Sequence, residues 1–249
     1  MVFRFVKDYQ PEILIIGGDF FDFYQISEFD KEPKRLLQLQ DDLHLAVRFL
    51  KELRDSLPGT RIIFLEGNHE FRLTAFKWRR VPALAYLDAL SPQKLFCLEE
   101  LNIEYVDYRD FFQYNKLVFI HGTGGASESG VLAKTNLRRY GTNIIMGHGH
   151  KTAKITRTTL DGTIGAWEAG ALCELKPEYV KGIANWSHGF CVIEYFKDVY
   201  FRVNDINIIR NTFSFEGKIY TSHADWTKEY NESQEERGWF SGTNANTSV

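Results

Sequence analysis

The chain has 249 residues, 44% of them hydrophobic, which is enough for the buried core of one large domain. Its formal net charge of −3 excludes a strongly basic chain that would bind nucleic acid through its overall charge. No apolar run reaches the length of a membrane span, and the three cysteines are too widely spaced for a disulfide scaffold or a thiolate metal motif. We therefore expect a cytoplasmic protein that makes no contact with membranes.

Four short aliphatic runs predict strands that are covered on both faces, because such strands read as continuous apolar segments bounded by glycine. These runs are residues 13–16, 62–65, 117–120 and 143–146. Together with the helices between them, they predict an α/β fold.

Helices are predicted between these strands from apolar residues that recur at three- or four-residue steps. The longest covers residues 33–56. A second is expected over residues 70–90 with a break near Pro82, and a third over residues 127–140. A short additional strand is expected over residues 103–106.

The C-terminal half changes to an alternation of polar and apolar residues, which is typical of antiparallel hairpins. Hairpins are expected over residues 154–168, 189–203 and 213–220. They would supply the second sheet of a sandwich. One domain is predicted over residues 1–226, and the polar residues 227–249 are predicted to form a mobile tail.

Each of the four aliphatic runs is followed directly by a polar cluster. In chain order, the clusters contain Asp19 and Asp22, then Asn68 and His69, then His121, and finally His148 and His150. Ligands of open α/β sheets collect beyond the carboxyl ends of the strands, so we expect these side chains at one rim. Carboxylate, amide and imidazole donors favour a divalent transition metal such as Mn, Fe or Zn. The lack of cysteine in the clusters argues against a structural zinc site.

These clusters resemble the motifs of the calcineurin-like metallophosphoesterase superfamily. The chain has Gly-Asp-x-x-Asp at 18–22, Gly-Asn-His-Glu at 67–70, His-Gly at 121–122 and Gly-His-x-His at 147–150, in the order of that superfamily. The resemblance implies a four-layer α/β/β/α sandwich of two mixed sheets with a metal centre between them. It also implies two divalent ions, of Mn, Fe, Zn or Ni.

The resemblance implies a role for each candidate ligand. Asp19 would bridge both metals, and Asn68, His121 and His148 would complete one metal site. His150 would serve the other site.

The resemblance also implies the catalytic residues. His69 would face the scissile phosphate and act as an acid, while Asp22 would orient it. Arg72 and Arg79 are candidate contacts to the substrate phosphate, although a solvated helix face is the alternative for this basic segment. Trp78 is a candidate for base stacking, with packing as its alternative.

One superfamily motif has no counterpart in this chain. The Asp-x-His motif normally stands on a first strand, but residues 1–9 have the pattern of the helix that follows it. The second metal site would then keep only Asp19 and His150. We expect that an N-terminal segment is missing, because the helix alone would leave a sheet edge bare. A natural short form is the alternative, and His223 with Asp225 is a further pair of suitable donors.

The expected function is metal-dependent hydrolysis of phosphoester bonds, by a metal-bound hydroxide with His69 as the acid. Both a phosphodiesterase and a phosphomonoesterase fit, and a nucleotide or nucleic acid is a suitable substrate. The alternative is a degenerate module or scaffold that binds one metal and has little catalytic activity. The oligomeric state stays open.

Overall fold

The computed structural model describes residues 1–31, 39–125, 128–177, 184–196 and 200–222. The helices within these ranges are α1 (Val2–Tyr9), α2 (Leu39–Ser56), α3 (Asn68–Arg80), α4 (Pro92–Leu95) and α5 (Val131–Tyr140). The first six strands are β1 (Ile13–Ile16), β2 (Arg61–Leu65), β3 (Ile103–Val106), β4 (Phe112–Tyr114), β5 (Leu117–Ile120) and β6 (Asn143–Met146). The last six are β7 (Thr152–Thr159), β8 (Gly162–Ala169), β9 (Gly189–Phe196), β10 (Tyr200–Asn207), β11 (Thr212–Phe215) and β12 (Lys218–Thr221).

The first sheet has the strand order β1-β2-β3, and its strands are all parallel. Parallel neighbours need crossover connections, which α2 and the α3–α4 segment provide here. Leu43, Leu50 and Leu53 of α2 pack in one buried cluster with Ile62 and Phe64 of β2. This packing covers one face of the sheet with helix.

The second sheet has the strand order β4-β5-β6-β8-β7 and is mixed. Its central strands β5, β6 and β8 are parallel, while β4 and β7 add antiparallel edges. Leu132 and Leu137 of α5 pack against Ile144 and Ala166 on one face of this sheet. Only this second sheet is mixed among the described strands, which differs from the expectation of two mixed sheets, because helices make every connection between β1, β2 and β3.

The two sheets share a third buried cluster. Ile63 and Leu65 of β2 pack there with Phe119 of β5, Ile145 of β6 and Trp167 of β8. Each of these strands therefore buries both faces, as the continuous aliphatic runs predicted. The α/β class is confirmed, and the four-layer arrangement in detail stays a prediction.

The C-terminal strands form two two-stranded antiparallel ladders, β9 with β10 and β11 with β12. Phe5 of α1 is 3% exposed and joins the cluster formed by Ile206, Phe213 and Tyr220. Its ring centroid lies 5.1 Å from that of Tyr220 and 5.5 Å from that of Phe213. The first helix and the last strands thus share one aromatic core.

The helix boundaries differ from the sequence predictions at their ends. α3 begins at Asn68 and ends at Arg80, and 3₁₀ turns follow at Pro82–Leu84 and Asp88–Leu90. The predicted break near Pro82 is confirmed, since proline lacks the N–H that would continue the helix. No helix within the described ranges is long and apolar enough to cross a membrane.

Some predictions fall on residues outside the described ranges. They include residues 33–38 of the long helix and the tail over residues 227–249, with the domain boundary before it. His223 and Asp225, the further pair of donors, also lie outside them.

Candidate metal centre

Two pairs of parallel strands, one from each sheet, end at the candidate metal centre. Ile16, the last residue of β1, pairs with Phe64 near the end of β2, and Ile120 of β5 pairs with Met146 of β6. The loops that follow these strand ends therefore start at matching levels. The two sheets meet face to face, so their polar clusters come to one rim.

His121 turns one ring nitrogen inward because a carbonyl holds the other. Its Nδ1 lies 2.8 Å from the backbone oxygen of Gly17, which can only accept a hydrogen bond. In the neutral ring the proton therefore sits on Nδ1, and Nε2 keeps its lone pair. That lone pair faces Asn68 Oδ1 at 3.0 Å and Asp19 Oδ1 at 3.3 Å.

His148 is oriented in the same way with its nitrogens reversed. Its Nε2 lies 2.9 Å from the backbone oxygen of Gly124, which leaves the lone pair on Nδ1 in the neutral ring. Nδ1 lies 2.8 Å from Asn68 Oδ1 and 3.2 Å from His121 Nε2. Two imidazole lone pairs thus face each other beside an amide oxygen and a carboxylate.

This donor set fits a divalent cation. The ligand atoms of Asp19, His121 and His148 lie within 4.8 Å of one another, and Asn68 lies among them. Facing acceptors repel one another, and a cation placed between them removes that repulsion. Second bonds from histidine to backbone oxygens are the usual way in which metal-binding rings are held.

The protonation of these groups is tuned by burial and by their mutual contacts. Burial raises the pKa of Asp19, but the hydrogen bond and charge of His121 outweigh it and bring that pKa well below its usual range. Burial lowers the pKa of His121, and Asp19 reverses this so that the net shift is upward. Burial and the charge of His121 lower the pKa of His148. A proton and a metal ion therefore compete for the position beside Asp19.

His150 lies beside this group and outside the tight cluster. Its ring centroid is 4.2 Å from that of Trp186 in an edge-to-face contact. The Ser187 N–H donates to the His150 carbonyl over 2.8 Å, which fixes the 184–187 segment against this turn. Burial lowers the pKa of His150 to about 4, so the ring is neutral at pH 7.

His69 pairs with Asp22 at the edge of the centre. His69 Nδ1 lies 2.9 Å from Asp22 Oδ1, and His69 Nε2 lies 3.8 Å from Asp19 Oδ2. Arg72 donates to the same Asp22 oxygen and, over 2.7 Å, to the Asp22 carbonyl. Arg79 pairs instead with Glu28. Both guanidinium groups expected at the phosphate are thus engaged with carboxylates.

Glu70 supports the centre in a way that the sequence did not indicate. Its side chain is fully buried, and its carboxylate accepts backbone N–H groups from Asp19 at 3.0 Å, Phe21 at 2.7 Å and Gly67 at 2.8 Å. One carboxylate thereby joins the loop after β1 to the loop after β2. Burial, reinforced by the charge of Asp19, raises the pKa of Glu70 to about 7.

The backbone at three candidate ligands is in the left-handed region. The φ angles are 54° at Asp19, 55° at His148 and 53° at His150, a conformation that costs free energy for residues with a Cβ atom. Gly67 allows close approach, because a Cβ atom there would collide with the backbone nitrogen of Asp19. Such strain is maintained only where the surrounding contacts determine it.

The fold and these donors define an α/β protein whose strand ends bring together side chains of the kind that bind a divalent cation. The chain belongs to the calcineurin-like phosphoesterase family, whose model matches residues 1–179. This match confirms the resemblance of the sequence motifs. Phosphoester hydrolysis and the use of divalent metals are general properties of the family.

Two phage proteins are similar to this chain over most of their length. The gene 54 proteins of Mycobacterium phages L5 and D29 are each 25% identical to it over 234 residues, covering 88% of this chain and 90% of the phage protein. Among solved structures, a single mutant of Vps29 from Entamoeba histolytica matches 83% of this chain and 94% of its own chain, at 14% identity and a TM-score of 0.34.

Proposed function

We propose that this chain hydrolyses phosphoester bonds as a phosphodiesterase or phosphomonoesterase. The observation that carries the proposal is the convergence of Asp19, Asn68, His121 and His148 with their lone pairs facing one position. His150, with Asp19, would contribute to a second metal position. Manganese suits this mixture of oxygen and nitrogen donors, as do iron, zinc and nickel.

A bound divalent cation supplies Lewis-acid polarisation of the phosphoryl oxygens and lowers the pKa of a coordinated water. The protein has to orient the substrate and donate a proton to the departing oxygen. The four ligands fix where the charged phosphoryl group binds. The three cysteines are free thiols, and a cytoplasmic setting, in which thiols stay reduced, belongs to the proposal.

His69 would donate the proton to the departing oxygen. The Asp22 carboxylate accepts the Nδ1 hydrogen of His69 and leaves Nε2 directed toward the rim. Arg72 holds Asp22 through two contacts, which fixes the orientation of the carboxylate. These pairings favour a positioning role for Arg72 over direct contact with phosphate.

A binding module with a single metal is the second candidate function. The contact between His150 and Trp186 favours it, because an indole ring packs edge to face against the imidazole that the second metal position would need. Such a module would hold one ion through Asp19, Asn68, His121 and His148 and would turn over little substrate.

The test compares metal content with turnover. The purified chain is stripped with a chelator, reloaded with Mn²⁺, and assayed with p-nitrophenyl phosphate and bis(p-nitrophenyl) phosphate. We expect turnover that disappears with the chelator and returns with the metal, and that is absent in His148→Ala at equal protein concentration. Full metal loading without turnover of either ester would overturn the enzyme and support the module.

A further inference from the structure

An aromatic surface extends from the metal centre toward the end of α3. It consists of Tyr108, Phe71, Trp78 and Arg109 and is called the aromatic shelf below. The Tyr108 and Phe71 rings are stacked with centroids 5.1 Å apart, and Phe71 meets Trp78 edge to face at 5.7 Å. The Arg109 guanidinium lies over both, 5.6 Å from the Phe71 centroid and 5.2 Å from that of Trp78.

The aromatic shelf begins at a proposed metal ligand. The Tyr108 ring centroid lies 6.3 Å from that of His121. Phe71 stands in the first turn of α3, close behind Asn68 and His69. A ligand whose phosphate lies at the metal centre would therefore reach the aromatic shelf with its adjoining group.

The outer end of the aromatic shelf is exposed and positively charged. Trp78 is 43% exposed, and Arg109 is also exposed. In the same helix, Lys77 is buried and donates to the Leu90 carbonyl, and Arg79 is paired with Glu28. Arg109 thus offers both a planar surface and a positive charge in a chain whose net charge is −3.

We propose that the aromatic shelf binds unpaired bases of a single-stranded nucleic acid whose phosphodiester lies at the metal centre. This rests on the proposed function and narrows it to nucleotidyl diesters. Aromatic side chains stack on any base, and arginine adds a cation–π contact and attraction to the backbone. A double strand keeps its bases stacked inside and cannot use such a surface.

Two measurements test the proposal on the full chain, the first with metal bound and the second after a chelator has removed it. The first is kcat/KM for a short single-stranded oligonucleotide relative to that for bis(p-nitrophenyl) phosphate, which carries no base. The second is the fluorescence anisotropy of labelled oligothymidylate in the presence of a chelator, so that binding is read without turnover. Both are made on the wild type, Trp78→Ala and Arg109→Ala.

We expect each variant to lower the kcat/KM ratio and the oligonucleotide affinity about tenfold, the effect of losing one stacked base. Trp78→Phe keeps an aromatic ring and should retain most of the kcat/KM ratio and of the oligonucleotide affinity. Arg109→Lys keeps the positive charge but lacks the planar guanidinium, so it should retain only part of these two quantities. The controls are Tyr200→Ala, an aromatic ring 73% exposed on β10, and Lys116→Ala, an exposed cation before β5 at the opposite end from His121. Neither control should change either quantity.

The outcomes separate the two proposals. If both substrates are hydrolysed and neither variant changes the ratio or the affinity, the aromatic shelf is excluded and the hydrolase stands. If neither substrate is hydrolysed but both variants weaken oligonucleotide binding, the aromatic shelf is confirmed as a surface for unpaired bases, while the hydrolase and its narrowing to nucleotidyl diesters are excluded. Equal affinity for a duplex of the same length would overturn the requirement for unpaired bases.

Discussion

The two sides of the metal centre are built differently. On the Asn68 side, His121 and His148 each have one nitrogen held by a backbone oxygen and the other turned toward Asn68. On the His150 side, the described contact of the imidazole is an aromatic one with Trp186. Both sides share Asp19 and carry histidines from one short turn.

The difference teaches that donor type alone does not make a metal site. The histidines of the Asn68 side have lone pairs whose directions are fixed before any cation binds, so little order has to be created on binding. His150 is neutral at pH 7 but lies beside an indole ring. We expect the two sides to respond very differently to the same substitution.

The largest effect is expected from His148→Ala. This variant removes one of four donors and leaves the others facing an incomplete site, so metal affinity should fall by about 100-fold or more. Titration with Mn²⁺ followed by elemental analysis measures it. His44→Ala, an exposed histidine on α2, is the matched control and should bind metal as the wild type does.

His69→Ala should separate catalysis from metal binding. Loss of a general acid lowers turnover by roughly 10²–10⁴-fold, while the metal content of the Asn68 side should stay unchanged. Steady-state kinetics and elemental analysis of the same preparation check both quantities. Metal loss equal to that of His148→Ala would reject the role proposed for His69.

Glu70→Gln should weaken the support that both sides share. Glutamine has one acceptor oxygen for three N–H groups, and unpaired buried donors cost about 1–3 kcal/mol of stability. Urea unfolding with Glu12→Gln, an exposed position, as the control measures the loss. The Glu12→Gln control should be as stable as the wild type. A Glu70→Gln variant that loses metal affinity but keeps wild-type stability would contradict the support role.

The difference in unfolding free energy between the wild type and Glu70→Gln should depend on pH, with a sign that follows from the pKa of Glu70. The pKa of Glu70 is raised from 4.5 to about 7, so the folded state binds more protons than the unfolded state between these values. The raised pKa of Glu70 therefore stabilises the metal-free folded protein below pH 4.5, and this stabilisation is lost as pH rises to about 7. Glu70→Gln should lack this contribution, and the difference in unfolding free energy between wild type and variant should shrink as pH rises.

The smallest effect on metal binding is expected from His150→Ala. The Asn68 side retains all of its donors in this variant, so one metal per chain should still bind with nearly unchanged affinity. Elemental analysis beside His148→Ala gives the direct comparison. Equal metal loss in both variants would show that the two sides act as one site.

The strands and their polar ends could be predicted because aliphatic runs and the residues after them are local features. The predicted start of α3 at residue 70 is wrong by two residues, since Asn68 and His69, expected in the polar cluster after the strand, also belong to the first helical turn. The role of Glu70 could not be predicted. It depends on an N–H group 51 positions away in sequence, and a glutamate is almost never fully buried unless it is paired.

The sequence by itself determined which donors this protein carries and that buried strands precede them. It also indicated the family, because the order of the motifs is a property of the sequence. Only the tertiary structure decided which nitrogen of each histidine faces the centre. The carbonyls of Gly17 and Gly124 determine which nitrogen of His121 and of His148 carries the proton. The Gly17 carbonyl lies 104 positions from His121 in sequence, so the orientation of the His121 ring is fixed only when the two sheets pack together.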